Sequence, residues 1–311
     1  MRVATIDIGT NTVLLLVAER DGEAGLRPVV ERATITRLGE GVDRTHRLAP
    51  AAIERTVECI ADYGRSVREL GVERVAVVGT SAMRDASGGE EIRAAVRAHL
   101  GVDARVISGD EEARLTFRGA LSGLTTGDAD LAVFDIGGGS TEVVLGRRVE
   151  GRHVISWARS FDVGSVRLTE RHGEDRVAIQ RAVREVFASV PPLPGAGEPV
   201  GIAGTMTTLA AVSMQLVPYD GARVHGHVMT RQELEAVLDR IAALDVESRR
   251  RLPGMEPKRA DVIVAGAVIA VSLLDRWGAT TVRISDRGVR WGLAEELGEA
   301  GEARLGGGSA G

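Results

Sequence analysis

A strand–turn–strand unit that occurs twice constrains this chain more than any other feature. In Leu131-Ala132-Val133-Phe134-Asp135-Ile136-Gly137-Gly138-Gly139-Ser140-Thr141-Glu142-Val143-Val144-Leu145, an apolar run ends on a carboxylate. Three glycines and two hydroxyls follow, and a second apolar run leaves. Val3-Ala4-Thr5-Ile6-Asp7-Ile8-Gly9-Thr10-Asn11-Thr12-Val13-Leu14-Leu15-Leu16-Val17 repeats the grammar, with Asp7 matching Asp135, Gly9 matching Gly137 and Thr12 matching Ser140. Each copy continues through a turn (Asp21-Gly22-Glu23; Glu150-Gly151-Arg152) into a third strand. An internal repeat is read before local propensity, because it announces a duplicated structural unit. Strand and helix patterns alternate along the rest of the chain, which favours α/β. The expected architecture is therefore two duplicated α/β lobes, 1–122 and 123–290, with a cleft between them. A closing helix, 291–304, returns to the first lobe, a linker spans 121–130, and the tail 305–311 is expected to be disordered.

The turn in each copy is chemically specific. Consecutive glycines bare successive backbone N–H groups and permit positive φ, which is how a concave anion site is built. Asp135, at a strand end, is placed to hold a divalent cation against a phosphate resting there. Composition narrows what else such loops could serve. Lys258 is the only lysine, so a Walker A loop is excluded and phosphate contacts fall to arginine, hydroxyls, backbone and metal. The net charge of −5 argues against a general nucleic-acid binder. One cysteine, Cys59, excludes an intrachain disulfide and a multi-cysteine zinc site. No apolar run is long enough to span a membrane, and the first residues lack a signal-peptide layout, so no membrane partner and a cytoplasmic location are expected.

Other stretches supply candidate side chains. Pro50–Leu70 has helical apolar spacing, with Cys59 and Tyr63 as packing residues. The strand Val75–Gly79 leads into Thr80-Ser81-Ala82-Met83-Arg84-Asp85, where Thr80 can cap a helix and Arg84 is a candidate phosphate ligand. Ser108 and Glu111 have capping-box spacing, which would occupy Glu111 and leave Glu112 free to reach a cleft. Dipole compensation at a helix start is the plainer role for this acidic run. Gly164-Ser165 precedes a helix, and Gly204-Thr205 repeats the design of Gly79-Thr80. Arg37-Leu38-Gly39-Glu40-Gly41-Val42 is a surface turn or a cleft edge. His225 and His227 read as structural or rim residues, Arg249–Arg251 as a solvated helix end, and Arg259–Leu274 as an apolar core helix.

Together these motifs resemble the exopolyphosphatase/guanosine pentaphosphate phosphatase family of the actin–hexokinase–Hsp70 superfamily. The residues that carry the resemblance are Asp7–Thr12, Gly79–Arg84, Ser108–Arg114, Asp135–Glu142, Gly164-Ser165-Val166 and Gly204-Thr205. It implies two ribonuclease H-like (actin-like ATPase) lobes and Mg²⁺-dependent removal of the terminal phosphate from inorganic polyphosphate or guanosine pentaphosphate. It places the catalytic glutamate at Glu112 and metal-site carboxylates at Glu112, Asp135 and Glu142. Phosphate binding falls to Asp7, Gly9, Thr10, Asn11, Thr12, Arg84, Gly137, Gly138, Gly139, Ser140, Thr141, Gly164, Ser165, Gly204 and Thr205. The chain departs from the family pattern at Ser87-Gly88-Gly89 and at Asp286–Gly292. The net charge is negative and the expected contacts, Arg84 and the two loops, gather at the terminal phosphates, so short polyphosphates are expected to be favoured, with Arg249–Arg251 the one feature that could serve a longer chain. An acceptor-dependent kinase of the same superfamily and a non-catalytic polyphosphate or alarmone sensor are the alternative readings, and homodimer formation is left open.

Overall fold

The computed structural model describes residues 1–20, 25–124, 130–149, 152–193, 195 and 197–305. The turns expected at 21–23 and 150–151, residues 125–129 of the expected linker and the tail from 306 lie outside the described residues. Two compact units divide the chain: Met1–Leu115 with Val289–Gly311, and Thr116–Gly288. The division falls within the helix Gly109–Leu121.

The first unit holds five strands, β1 (Arg2–Ile8), β2 (Thr12–Arg20), β3 (Leu26–Ile35), β4 (Arg74–Gly79) and β5 (Ala104–Val106), in the order β3-β2-β1-β4-β5. β1 runs antiparallel to β2 and parallel to β4, and β4 is parallel to β5. Strand β1 is buried almost throughout because both its faces are covered. Alternate residues serve different cores, as the two-residue period of a strand requires. Ala4, Ile6 and Ile8 pack with Ile53, Ile60 and Tyr63 of the helix Pro50–Glu69. Val3, with Leu16 and Ala18 of β2, packs against the fully buried Trp291 of the closing helix Val289–Leu305.

The second unit holds β6 (Asp130–Ile136), β7 (Thr141–Val149), β8 (Arg152–Phe161), β9 (Glu198–Ile202), β10 (Val228–Thr230) and β11 (Thr281–Ile284), in the order β10-β11-β9-β6-β7-β8. Read from β8, this is the first unit's order with β10 added at the edge. The duplication is exact in register. Asp7 pairs with Leu14 and Asp135 with Glu142. The turns close alike, Gly9 N–H on Thr12 C=O at 3.1 Å and Gly137 N–H on Ser140 C=O at 3.0 Å. Even the irregularity between the second and third strands recurs at matching positions, Val17/Ala18 and Leu145/Gly146. Beneath the second sheet lies the helix Ile263–Trp277, buried at every residue from Ile263 to Leu274. Among the described residues no helix is long and apolar enough to cross a membrane.

The arginine run is a solvated helix end only in part, with Arg250 and Arg251 exposed and Arg249 turned inward. Arg249 is fully buried. Its Nε donates to the Ile241 carbonyl at 2.6 Å and its Nη1 to the Ala260 carbonyl at 3.2 Å. Both terminal nitrogens engage the Glu174 carboxylate, Nη2 at 2.7 Å. Planar bidentate geometry is what makes such burial tolerable, and a charge run read without its partner hides it. The hydrogen bonds from Arg249 hold the Glu174 carboxyl below its ordinary value, against the opposing effect of burial.

Glu174→Ala therefore leaves a buried guanidinium without its counter-charge, and should cost about 2 kcal/mol once partial solvent access is allowed for. Arg249→Met should cost less, because the Glu174 side chain is 43% exposed and can turn to water. A carboxyl with a depressed folded-state pKa contributes stability that is complete above its ordinary range and lost as pH falls through the depressed value. The melting-temperature gap between wild type and Glu174→Ala should thus be constant at neutral pH and close only in acid.

Candidate functional site

In the first unit, the Gly9–Thr12 turn joins β1 to β2, and the segment after β3 closes over it. Thr36 and Arg37 N–H both donate to the Asn11 carbonyl at 3.1 Å, and Gly39 N–H donates to the Thr10 carbonyl at 2.8 Å. Arg37 adopts φ +52°, a region that side-chain-bearing residues seldom occupy. Strain of this kind collects where a loop is held for a purpose. Asp7, Asn11 and Thr12 are buried.

Thr80 joins this loop by donating its N–H to the Ile8 carbonyl at 3.2 Å. Its hydroxyl makes no cap hydrogen bond to the helix Ser81–Asp85, contrary to the expectation from sequence. Thr80's backbone (φ −109°, ψ −144°) lies outside the β-region geometry of an ordinary cap residue. Arg84 Nη1 bonds the Ile107 carbonyl at 3.1 Å and Glu112 Oε2 at 3.0 Å, so two candidate residues distant in sequence meet directly. Glu112 is only 6% exposed. The expected capping box is half formed: Ser108 Oγ accepts from Glu111 N–H at 3.2 Å, but the Glu111 carboxylate pairs with Arg105 instead of the cap backbone. A nearby guanidinium outcompetes a neutral backbone N–H for a carboxylate. Glu111 and Glu112 still separate by role, one on a surface pair and one inside.

In the second unit, the glycine turn is fixed from one side. Gly137 C=O accepts from Ser165 N–H at 2.9 Å and from Ser165 Oγ at 3.2 Å. Gly138 C=O accepts from Val166 N–H at 2.9 Å and Arg167 N–H at 3.0 Å. Gly139 C=O accepts from Arg167 Nε at 2.6 Å. In a trans peptide the N–H points opposite to the carbonyl. The N–H groups of Gly138, Gly139 and Ser140 therefore face away from the helix Ser165–His172, as an anion nest requires.

Two expectations are corrected here. Among the described residues, the glycines at positive φ do not include Gly137, Gly138 or Gly139. The close packing of this turn demands smallness at a different glycine: a Cβ on Gly164 would run into the Gly138 carbonyl and lie 2.7 Å from the Gly139 carbonyl carbon. Several predicted phosphate ligands hold the scaffold. Ser165 spends its N–H and its hydroxyl on the loop, Thr205 Oγ1 donates to the Ile136 carbonyl at 3.0 Å, and Thr141 Oγ1 donates to the Val163 carbonyl at 2.6 Å.

Asp135 and Glu142 sit opposite each other on β6 and β7, so both carboxylates share a sheet face. Glu142 is 1% exposed and accepts from Ser160 Oγ at 2.6 Å. No group of three or more His, Cys, Asp or Glu that could hold a metal is gathered among the described residues. Mg²⁺ needs only one or two carboxylates when substrate phosphates and water complete its shell. The pair fits an ion of that kind, and fits poorly with a resident all-protein site. The first unit carries Leu14 where the second carries Glu142, so the paired carboxylates belong to one copy only.

Sequence reasoning missed Arg259. It was assigned to the start of an apolar helix, but the helix begins at Ile263 and Arg259 ends a short 3-10 turn, Pro257–Arg259. Its guanidinium lies over Gly204, where any Cβ would collide with it. Burial pushes its pKa down, while Glu256, Tyr219 and Asp135 oppose that shift. Ala203, at the start of the helix Ala203–Ser213, takes φ +64°. A helix N-terminus, a strained residue and a guanidinium thus converge near Asp135, an arrangement suited to an anion. Pairing a Gly-Thr turn with a distant arginine was the only available signal.

Gly204→Ala should push aside the flexible end of Arg259 without moving backbone. Melting temperature should stay within about 2 °C while affinity for a phosphate ligand falls about tenfold. Equal losses in both would make Gly204 a folding residue.

His225 is tied into the fold by neighbouring side chains. His225 Nδ1 lies 3.3 Å from Asp286 Oδ1 and 3.3 Å from Ser285 Oγ, tying the Gly221–Val224 turn to the end of β11.

Comparison with known proteins bears on this geometry. Residues 16–298 match the model of the Ppx/GppA phosphatase family. The chain is 39% identical over 320 residues to exopolyphosphatase 2 of Mycobacterium tuberculosis, covering 95% of this chain and 98% of that protein. It is 27% identical over 297 residues to a guanosine-5'-triphosphate,3'-diphosphate pyrophosphatase of Aeromonas hydrophila, covering 93% of this chain and 58% of that protein. Among solved structures, the Aquifex aeolicus member of the Ppx/GppA family superposes with a TM-score of 0.80 at 32% identity, over 97% of this chain and 98% of the other.

Proposed function

The chain belongs to the Ppx/GppA phosphatase family, and from that premise we propose that it hydrolyses phosphoanhydride bonds, releasing the terminal phosphate of inorganic polyphosphate and of guanosine pentaphosphate. The observation that carries the reading is the glycine turn of the second unit, whose three carbonyls are tied to the helix Ser165–His172 so that the N–H groups of Gly138, Gly139 and Ser140 face the other way, toward an anion. Glu112 is the general base that orients and deprotonates water. Arg84, now on Glu112, is close enough to exchange that carboxylate for a phosphate oxygen. Arg259 and the Ala203–Ser213 N-terminus take a further phosphate oxygen. Mg²⁺, held by Asp135 with Glu142, would supply charge neutralisation as the P–O bond breaks. Phosphoryl transfer depends mainly on positioning and electrostatics, so a loop-and-metal site is chemically sufficient.

Short chains should be the better substrates. Processive grip on a long polyanion needs many cationic contacts along its path, and a net charge of −5 works against such a grip. Of the run Arg249–Arg251, Arg249 is internal and Arg250, though exposed, pairs with Glu247. The test is phosphate release with Mg²⁺ and no acceptor, across tripolyphosphate, chains of hundreds of units, guanosine pentaphosphate and ATP, at equal concentrations of chain ends. Release from tripolyphosphate without an acceptor is expected, and its absence would favour a kinase. Faster release from long chains, with degraded and untouched molecules coexisting, would sink the chain-length proposal.

A further inference from the structure

The three carbonyls of the glycine turn are not held in the same way. Those of Gly137 and Gly138 are captured by backbone N–H groups at the start of the helix Ser165–His172. The Gly139 carbonyl is held by a side chain, Arg167 Nε at 2.6 Å. The duplicated copy shows how else this position can be secured. Asn11 is the counterpart of Gly139, and its carbonyl accepts from two backbone donors, Thr36 N–H and Arg37 N–H. A glycine peptide plane rotates more cheaply than any other, so the plane that a side chain holds depends most on that side chain.

We infer that Arg167 is the positioning residue of the anion nest: by fixing the Gly139 carbonyl it keeps the Ser140 N–H of the same peptide plane turned toward a substrate phosphate oxygen. The inference rests on the reading of this loop as a phosphate site. Arg167 acts through the peptide, and the N–H it orients is the group that meets the ligand. An N–H aimed at an ionised oxygen forms a stronger hydrogen bond than one between neutral groups, so a single rotated plane is felt in affinity.

The test compares Arg167→Met, which keeps the length and removes the donor, with Arg167→Lys, which retains a donor. Arg167→Met should raise KM for tripolyphosphate and the inhibition constant for inorganic phosphate by about tenfold, with kcat within about threefold. Arg167→Lys should recover most of the loss. In the wild type the Ser140 amide resonance should move on phosphate addition, and in Arg167→Met it should not. A merely structural role would lower the melting temperature and leave that resonance responsive. Gly164→Ala, which forces a Cβ into the loop itself, separates the two failures. If Gly164→Ala weakens phosphate binding and Arg167→Met does not, the positioning role is wrong and the phosphate site stands. If neither has an effect, the loop is not the phosphate site.

Discussion

Glu112→Gln is expected to lower turnover by about a hundredfold or more while leaving KM within about threefold, since it removes the base and keeps the volume. The surroundings of Glu112 make this a clean substitution. The residue is 6% exposed, and the amide oxygen of glutamine can still accept from Arg84, which lies 3.0 Å from the carboxylate now. Local packing and the position of Arg84 should therefore survive, and the loss should appear in kcat. The adjacent residue is the control. Glu111 pairs with Arg105 at the surface, both side chains more than a third exposed. Exposed pairs of this type contribute little, so Glu111→Gln should keep turnover and shift stability by no more than about 0.5 kcal/mol. Steady-state kinetics and thermal melts on the two variants decide the assignment. An exchange of phenotypes between them would place the base at Glu111.

What was legible in the sequence was whatever the duplication encoded. The register of β6 on β7, the closed turns and the pairing of Asp135 with Glu142 all follow from one repeated pattern, and the structure keeps it residue for residue. Apolar spacing likewise showed the Pro50–Glu69 helix and the buried helix that starts at Ile263. The errors lie where a side chain's partner is remote or where two donors compete for one acceptor. Arg249 looked solvated because Glu174 is far away in sequence. Ser165 and Thr205 looked available to phosphate because a motif names residue types without saying which acceptor they have already found. Arg259 was hidden in an apolar pattern, and only the bare Gly204 beneath it hinted at a guanidinium. The three glycines suggested positive φ, which none of them adopts, whereas the smallness that the packing of the turn demands is that of Gly164.

Asp135→Asn should have the other large effect, a loss of about a thousandfold in Mg²⁺-supported turnover, equivalent to about 4 kcal/mol of transition-state stabilisation. The two carboxylates on this sheet face are not equivalent. Glu142 is buried and already accepts from Ser160 Oγ at 2.6 Å, whereas Asp135 is partly exposed at the strand end beside the turn. A hard cation that retains several waters is better served by the more open group. Asparagine preserves size and shape at Asp135 and removes only the negative charge, so backbone register should be untouched. The Mg²⁺ concentration for half-maximal rate should rise by at least about tenfold in Asp135→Asn and by less in Glu142→Gln, whose oxygen can keep its bond to Ser160. Activity alone could fall for other reasons, so Mn²⁺ binding in the presence of inorganic phosphate, followed by water-proton relaxation, supplies the independent readout. Unchanged Mn²⁺ affinity in Asp135→Asn would mean that the cation is carried by substrate phosphates alone. In that case the carboxylate would serve to anchor Arg259, the cation whose charge it supports.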